Sequence, residues 1–497
     1  GVGILVLGSP YLLQFANSLY ASIYDDVVGN LLVLSLLRIG LISLCLLPAT
    51  ILMGGTLPLL CRHFVRESDG ILTSIGWLYA LNTLGAAAGC AICGFVLIPY
   101  VGISTTILVG GLLNILIGLL LRSLTFVDAE AYVEPVEDEE ELEDEILEEE
   151  SQAAEEDDGQ EPGEDEEEWD EDEEEWDEEE EEWEPLSTRT VMSWLFFFTG
   201  FVALGHEVVW TRFLSLVLHN NVYTYTLTLS VILLGMVIGS LIISRTLDHS
   251  ERHIFRFGMV QIASAILVFL VLMLPAGLWQ RWMDPQSITA QLWVISLVML
   301  VPAIFAGISF PLGIRLVLED ASHAGSGVGR MAAINTLGGI TGSLAVGFLM
   351  LPWIGLENTL RAITGIGMLV GIFAWLMLEG SLQVKRRGWL IVLFSFFWLL
   401  ISLSSNSPLV PRKRLPGDFL AAGRQLAAEP EEGVGSYMAV LQDGSNLDLE
   451  VNRMWQGTDR KNHQTTAAHI PMLFHSNPRS VLVVGLGTGQ TARSFLV

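Results

Sequence analysis

Apolar residues fall along this chain in long blocks rather than in alternation. A run of about 18 or more apolar residues is enough to cross a bilayer as a helix. Eleven such blocks stand at roughly 2–20, 31–60, 75–98, 103–121, 191–216, 222–244, 257–278, 290–314, 328–351, 357–378 and 388–404. Inside lipid the backbone must pair its own polar groups, so each block predicts a helix. The block 31–60 is too long for one simple span, and Pro58 predicts a bent or re-entrant end. The pattern therefore predicts an α-helical polytopic membrane bundle.

The blocks repeat. Residues 53–102 match 306–355 at a constant offset of 253. MGGTLPLLCR pairs with AGISFPLGIR, which aligns Pro58 with Pro311 and Arg62 with Arg315. LNTLGAAAGCAICGF pairs with INTLGGITGSLAVGF, aligning Asn82 with Asn335, and IPYVG pairs with LPWIG. Six spans separate equivalent points, and an even number preserves orientation. The expected arrangement is two parallel repeats, as in transporter halves related by an axis along the membrane normal. The chain starts at Gly1 without a methionine and stops at Val497 inside a helix start. Two spans of the second half have no counterpart before Gly1, so a fragment of a six-plus-six design is expected, followed by the extra span 388–404. Gly85 and Gly89, like Gly338 and Gly342, form small-xxx-small patterns that let helix backbones approach closely in lipid.

Composition agrees, at 51% hydrophobic and 16% charged residues. The net charge of −32 belongs to one tract: Asp128 to Glu184 hold 37 of the 57 acidic residues and no Lys or Arg. Such like-charge density repels itself and predicts a disordered, solvated linker over 128–186, with a basic partner or cation as the other reading. Trp169, Trp176 and Trp183 lie seven apart within it, a spacing that a helix or low-complexity duplication would give. Cys45, Cys61, Cys90 and Cys93 all lie in or beside spans and read as packing residues, with no metal site and no disulfide framework.

Ionisable groups within a span are expensive and mark a cavity, a partner or the interface. GHEVVWTR places His206, Glu207 and Arg212 in one apolar block, and Arg38 is embedded in another. Glu207 and Arg212, five apart, are poorly spaced to pair on one helix face, which leaves Arg38 as another candidate partner for Glu207. A structural ion pair and a proton or substrate site both stay open here. Asn82 and Asn335 read as interhelical hydrogen-bonding residues. Lys and Arg concentrate in alternate loops, among them Arg62, Arg122, Arg189, Arg245, Arg315 and Lys385. The positive-inside rule puts those loops, and the acidic tract with them, in the cytoplasm.

From about Pro411 the composition turns soluble. Residues 435–457 alternate and turn at Asp443–Gly444, as in an antiparallel hairpin. RSVLVVGLGTGQTARSFL then reads as a buried strand, a glycine turn and a helix start, with Gly485, Gly487 and Gly489 giving GxGxG. That context fits S-adenosylmethionine-type and dinucleotide binding about equally.

The order of hairpin, VNRMWQG and HIPMLFHSNPRSVLVVGLGTG resembles the polyamine aminopropyltransferases, the spermidine synthase family. With EVVWTR, MGGTLP and LYALNTLG, the chain resembles bacterial membrane proteins in which major-facilitator-like spans are fused to a spermidine synthase-like domain. The resemblance implies a C-terminal α/β Rossmann-like, methyltransferase-type domain after a small β-hairpin region, truncated at the C-terminus. It implies S-adenosylmethionine or its decarboxylated form as cosubstrate, Gln456, Gly485, Gly487 and Gly489 as the residues holding it, and His469 at the amine substrate. It also implies a bacterial inner membrane. The family's acidic segment is replaced here by Asp459 to Thr465, which lacks its Glu, and GLGTG stands for a more glycine-rich loop. No catalytic base is identified. The expected domains are 1–127 and 187–404 for the membrane repeats, 128–186 for the linker and 411–497 for the soluble part. The leading function is transfer of an aminopropyl or related group. The rivals are a transporter with a degenerate regulatory nucleoside-binding domain and a methyltransferase acting on a membrane substrate. Neither nucleic acid nor a metal is expected as a partner.

Overall fold

The computed structural model describes residues 1–27, 29–65, 71–131, 188–217, 222–245, 253–273, 288–318, 324–378, 393, 397, 424–433, 436–459 and 463–496. The acidic tract, apart from its first four residues, lies outside them, as does nearly all of the expected span 388–404. The membrane helices are α1 (Val2–Val27), α2 (Leu31–Gly54), α3 (Thr56–Phe64), α4 (Ile71–Ile92), α5 (Ile98–Ala131), α6 (Thr188–Val217), α7 (Val222–Ser244), α8 (His253–Leu272), α9 (Ile288–Arg315), α10 (Ala324–Leu344) and α11 (Leu351–Leu378). Among the described residues, eight helical stretches are long and apolar enough to cross a membrane.

Two of those stretches, Ile71–Ser123 and Gly325–Leu376, contain 53 and 52 residues, enough for two spans each. Each is a pair of helices joined through a π-helical turn, Cys93–Leu97 in the first and Ala345–Met350 in the second. Each is then kinked at a glycine, Gly102 (φ 82°, ψ 166°) or Gly355 (φ 74°, ψ 173°). These glycines are equivalent at the offset of 253 read from the sequence. The left-handed φ explains why both positions are glycine, since a Cβ there would be strained. The block 31–60 breaks at Gly55, three residues before Pro58, and Pro58 sits in the first turn of α3. An N–H missing there leaves no helical bond unmade.

The helices form two compact units. The first comprises Gly1–Cys45 and Leu108–Pro185, and in it Gly3 of α1 abuts the Gly111 carbonyl of α5. The second comprises Leu46–Ile107 and Leu186–Val497. Its helices touch through glycine. A Cβ at Gly338 of α10 would run into the Phe197 carbonyl of α6, and one at Gly342 into the Phe201 carbonyl. Gly239 of α7 and Gly307 of α9 do the same for each other's helix against Ile304 and Met236. Lipid offers no hydrophobic drive between helices, so this close backbone approach supplies the packing. Gly85 and Gly89, the repeat counterparts of Gly338 and Gly342, meet nothing within 4 Å.

The C-terminal part of the second unit carries a five-stranded antiparallel sheet: β1 (Gln425–Leu426), β2 (Glu431–Glu432), β3 (Tyr437–Asp443), β4 (Asn446–Val451) and β5 (Met454–Thr458). The expected hairpin is β3–β4, with Gly444 at φ 62° opening a two-residue loop between Asp443 and Asn446. Residues Asn452 and Arg453, both at positive φ, turn β4 into β5. Helices α12 (His463–Phe474) and α13 (Gln490–Ser494) follow. The expected strand over VLVV does not form: residues 481–484 join no ladder, and Leu482 and Val484 are exposed. A buried strand needs neighbours on both edges, and the described residues offer none there. Tyr437, Ala439 and Leu441 alternate on one face of β3 and are buried with Val209, Trp210 and Phe213 of α6 and Leu356 and Leu360 of α11. The sheet therefore shares a hydrophobic core with the bundle.

The asymmetry between equivalent glycines is testable. Gly338→Val forces α6 and α10 apart and should cost about 1–3 kcal/mol or more, the scale of overpacking. Gly85→Val enters open space and should leave thermal unfolding in detergent nearly unchanged. Equal losses for the two variants would contradict the packing described.

Candidate functional site

Three polar arrangements stand out in the second unit. The first is the glycine loop. Gly485, Gly487 and Gly489 have φ values of 86°, 55° and 75°, all in the region that favours glycine. A Cβ at Gly487 would lie 3.7 Å from the Gln456 carbonyl, and the Thr488 side chain lies against Gly457, so the loop packs on β5. Gln464 of α12 holds the two together. Its Nε2 donates to the Gln456 carbonyl at 2.9 Å, and its Oε1 accepts from Thr488 Oγ1 at 3.0 Å. Thr491 Oγ1 donates to the Gln464 carbonyl at 3.2 Å. The structure thus brings together four of the five expected ligand-holding residues. His469 is exposed on α12 and is outside that cluster. Gln464 escaped the sequence reading because it lies within the departing segment Asp459–Thr465.

The second arrangement joins sheet and bundle. The left-handed Gly355 interrupts α11, and the Leu356 N–H that follows donates to Glu432 Oε2 of β2 at 2.5 Å. A Cβ at Gly355 would lie 2.9 Å from that same oxygen, so only glycine admits the carboxylate. One turn on, Arg361 is paired with Glu357. The Arg212 guanidinium of α6 attracts Glu432. Burial holds the Glu432 carboxyl above the usual carboxylate range; the Leu356 N–H and Arg212 lower it, and Glu357 adds to the rise.

The third is a cavity of about 280 Å³ at mid-height of α6 to α10. His206, Glu207 and Trp210 of α6, Gln261 of α8, Ser309 of α9 and Asn335 of α10 line it. Gln261 Nε2 donates to Thr199 Oγ1 at 3.2 Å and to Ser309 Oγ at 3.4 Å. Asn335 Nδ2 donates to the Phe196 carbonyl at 3.0 Å, the interhelical bond expected of it, whereas Asn82 is exposed. His206 Nε2 lies 2.9 Å from Thr364 Oγ1 of α11. Glu207 makes no ion pair or hydrogen bond among the described residues. Of the two candidate arginines, Arg212 is attracted by Glu432 and Tyr225, and Arg38, within the first unit, donates to Tyr20 Oη at 2.8 Å. Gln261 and Ser309 were not singled out from sequence, although a lone amide in an apolar block was the available signal. Among the described residues no group of His, Cys, Asp and Glu is arranged to hold a metal ion.

A polytopic bundle of apolar helices, with a mid-height cavity whose apolar wall carries a few polar groups, defines an integral membrane protein of the transporter type. The Major Facilitator Superfamily profile matches residues 51–343, more than half of the chain, and the chain belongs to that family. It is also similar to the polyamine aminopropyltransferase of Corynebacterium efficiens, 26% identical over 213 residues, which covers 41% of this chain and 40% of that one. Polyamine aminopropyltransferase 2 of Streptomyces coelicolor is 24% identical over 310 residues, covering 59% and 53% of the two chains. Polyamine aminopropyltransferase 2 of Aquifex aeolicus is 22% identical over 320 residues, covering 62% and 60%. The chain spans about half the length of the curated relatives it matches. All three matches are longer than the soluble C-terminal segment, so the likeness takes in membrane spans as well. No solved structure matches.

The junction makes a pH prediction. A carboxyl whose folded pKa is raised contributes its stability below the unfolded pKa and loses it as pH rises through the folded one. Docking of the sheet on α11 should therefore weaken as pH is raised above the ordinary value of 4.5. Hydrogen exchange in β2 and β3, corrected for intrinsic rate, should speed up over that range, and Glu432→Gln should flatten the trend. Exchange that slows as pH rises would contradict the assignment.

Proposed function

We propose that the chain is a membrane-embedded, spermidine synthase-like protein whose soluble part binds an S-adenosyl-type cosubstrate and transfers an aminopropyl or related group to an amine. One observation carries the reading: a loop with three left-handed glycines brings Gly487 to the Gln456 carbonyl of β5, and Gln464 ties that carbonyl to Thr488 of the loop. Glycines at alternate positions of a loop over a strand end are what a nucleoside needs for close backbone approach. The names of the similar proteins support the same chemistry. In the transfer, the amine nitrogen attacks the carbon beside the sulfonium, the C–S bond breaks, the neutral thioether leaves, and the amine gives up a proton. Gln456, Gly485, Gly487 and Gly489 would hold the nucleoside, and His469 would face the amine. Positioning is the main contribution such an in-line displacement asks of a protein. We place the protein in a bacterial inner membrane with its acidic tract in the cytoplasm, on the strength of the Lys and Arg distribution.

A second reading, movement of a small molecule across the membrane with the soluble part as a nucleoside-responsive regulator, is favoured by the cavity at mid-height of α6 to α10. Such sites in transporters lie near the bilayer midplane.

Calorimetry on the full-length protein with S-adenosylmethionine, its decarboxylated form and methylthioadenosine tests the first reading. Gly487→Val should abolish binding and leave the melting of the membrane part unchanged. Gln456→Ala should weaken it by about 1 kcal/mol, the scale of one buried hydrogen bond. Preference for the decarboxylated form supports aminopropyl transfer, and preference for the carboxylated form supports a methyltransferase. Binding of none of the three overturns the nucleoside-binding reading.

A further inference from the structure

We propose that the cavity between α6 and α10 binds a small organic monocation, a protonated amine, with Glu207 as its counter-charge. The proposal names a ligand class for the cavity on which the transport reading rests. It makes no use of the glycine loop.

Among the residues lining the cavity, Glu207 is the one carboxylate, and no Lys or Arg is present. Its sequence neighbours have other partners: Arg212 is attracted by Glu432 and Tyr225, and His206 Nε2 meets Thr364 Oγ1. A carboxylate within the membrane must carry a proton or meet a cation, because lipid gives it no water in exchange. An anion would be repelled by it, a neutral ligand would leave it to carry a proton, and a cation would compensate it directly.

The hydrogen-bonding census agrees. Thr199 and Ser309 donate their hydroxyl protons to the Leu195 and Phe305 carbonyls, so both oxygens are free to accept from Gln261. Gln261 spends its amide nitrogen on those two hydroxyls, which leaves Oε1 as an acceptor. Asn335 commits Nδ2 to the Phe196 carbonyl, which leaves Oδ1. With Glu207 these make three acceptor groups in the wall, the complement of an ammonium N–H set, beside the hydroxyls of Ser264 and Thr336 and the indole N–H of Trp210.

The indole of Trp210 forms part of the same wall and is held edge-on to Phe213 at 6.0 Å between centroids. An aromatic face beside a carboxylate suits an alkylammonium, through cation–π attraction and apolar contact with the carbon chain. A single carboxylate argues for one positive charge. A volume of about 280 Å³, near the lower bound of ordinary ligand sites, argues for a small amine.

The test uses the full-length protein in nanodiscs with n-butylammonium, n-butanol and butyrate as probes, read by calorimetry and by thermal shift. Saturable binding of n-butylammonium is expected, with neither of the other two competing. Glu207→Gln should lower that affinity by at least about tenfold, since it leaves the cation unpaired. Should that variant fail to fold, Glu207→Asp keeps the charge and should retain a measurable preference for n-butylammonium over n-butanol. Trp210→Phe should retain most binding, and Trp210→Leu should lose more of it. Gly487→Val should bind n-butylammonium like the wild type, so a failure of the nucleoside reading does not touch this one. Binding without uptake of the amine into proteoliposomes would overturn the transport reading and leave the site standing. Equal affinity for n-butanol and n-butylammonium, or an undiminished affinity in Glu207→Gln, overturns the proposal.

Discussion

The Leu356 N–H, freed from the helical ladder where two spans of the second repeat meet, is bound by a carboxylate of the soluble sheet, and that bond organises the second unit. Gly355 adopts a conformation that breaks the helical ladder of α11, and Glu432 accepts from the amide that follows. The acceptor comes from the soluble sheet. The sheet is thereby committed to the bundle, and the face of β3 bearing Tyr437, Ala439 and Leu441 closes over α6 and α11. Arg212 adds charge to the same point, and α6 carries the cavity residues His206, Glu207 and Trp210 a turn or two earlier. One helix thus links the junction with the cavity.

The same constraint explains the glycines. In water, apolar burial would draw these helices together. In lipid, only close packing and polar contacts do so, and Gly338, Gly342, Gly239 and Gly307 bring backbones within reach of each other. Many large apolar side chains, among them Tyr100, Leu116 and Trp293, are exposed, as befits surfaces that meet acyl chains instead of water. Several polar residues of the bundle, among them Gln261, Ser309 and Asn335, meet another polar group, and Glu207 lines the cavity instead.

Much of the membrane part is legible in sequence because its code is local. Hydrophobic length fixes the spans, and block 222–244 coincides with α7. The repeat offset locates two equivalent kinks and two equivalent π-helical turns, although neither irregularity was visible until backbone angles were known. The hairpin at Gly444 was legible because a two-residue turn needs its glycine. Long-range pairing was not legible. Residues 481–484 have the composition of a buried strand, but a strand exists only with a ladder partner. Arg212 was weighed against Glu207, its neighbour in sequence, whereas the carboxylate that faces it belongs to the C-terminal sheet. Glu432 itself sits in an unremarkable acidic pair with Glu431, and nothing in its neighbours announces a role. Gln464 lies in a segment whose departure from the resembled family hid it.

The account rests on sheet and bundle forming one body through the Gly355 kink. Hydrogen exchange resolved to single amides across α11, comparing the full-length chain with Glu432→Ala, tests this most directly. The account predicts that the Leu356 amide loses its protection in the variant and that β2 to β4 lose theirs with it, while α7 and α9 keep theirs. Unchanged protection at Leu356 alongside an intact sheet would contradict it.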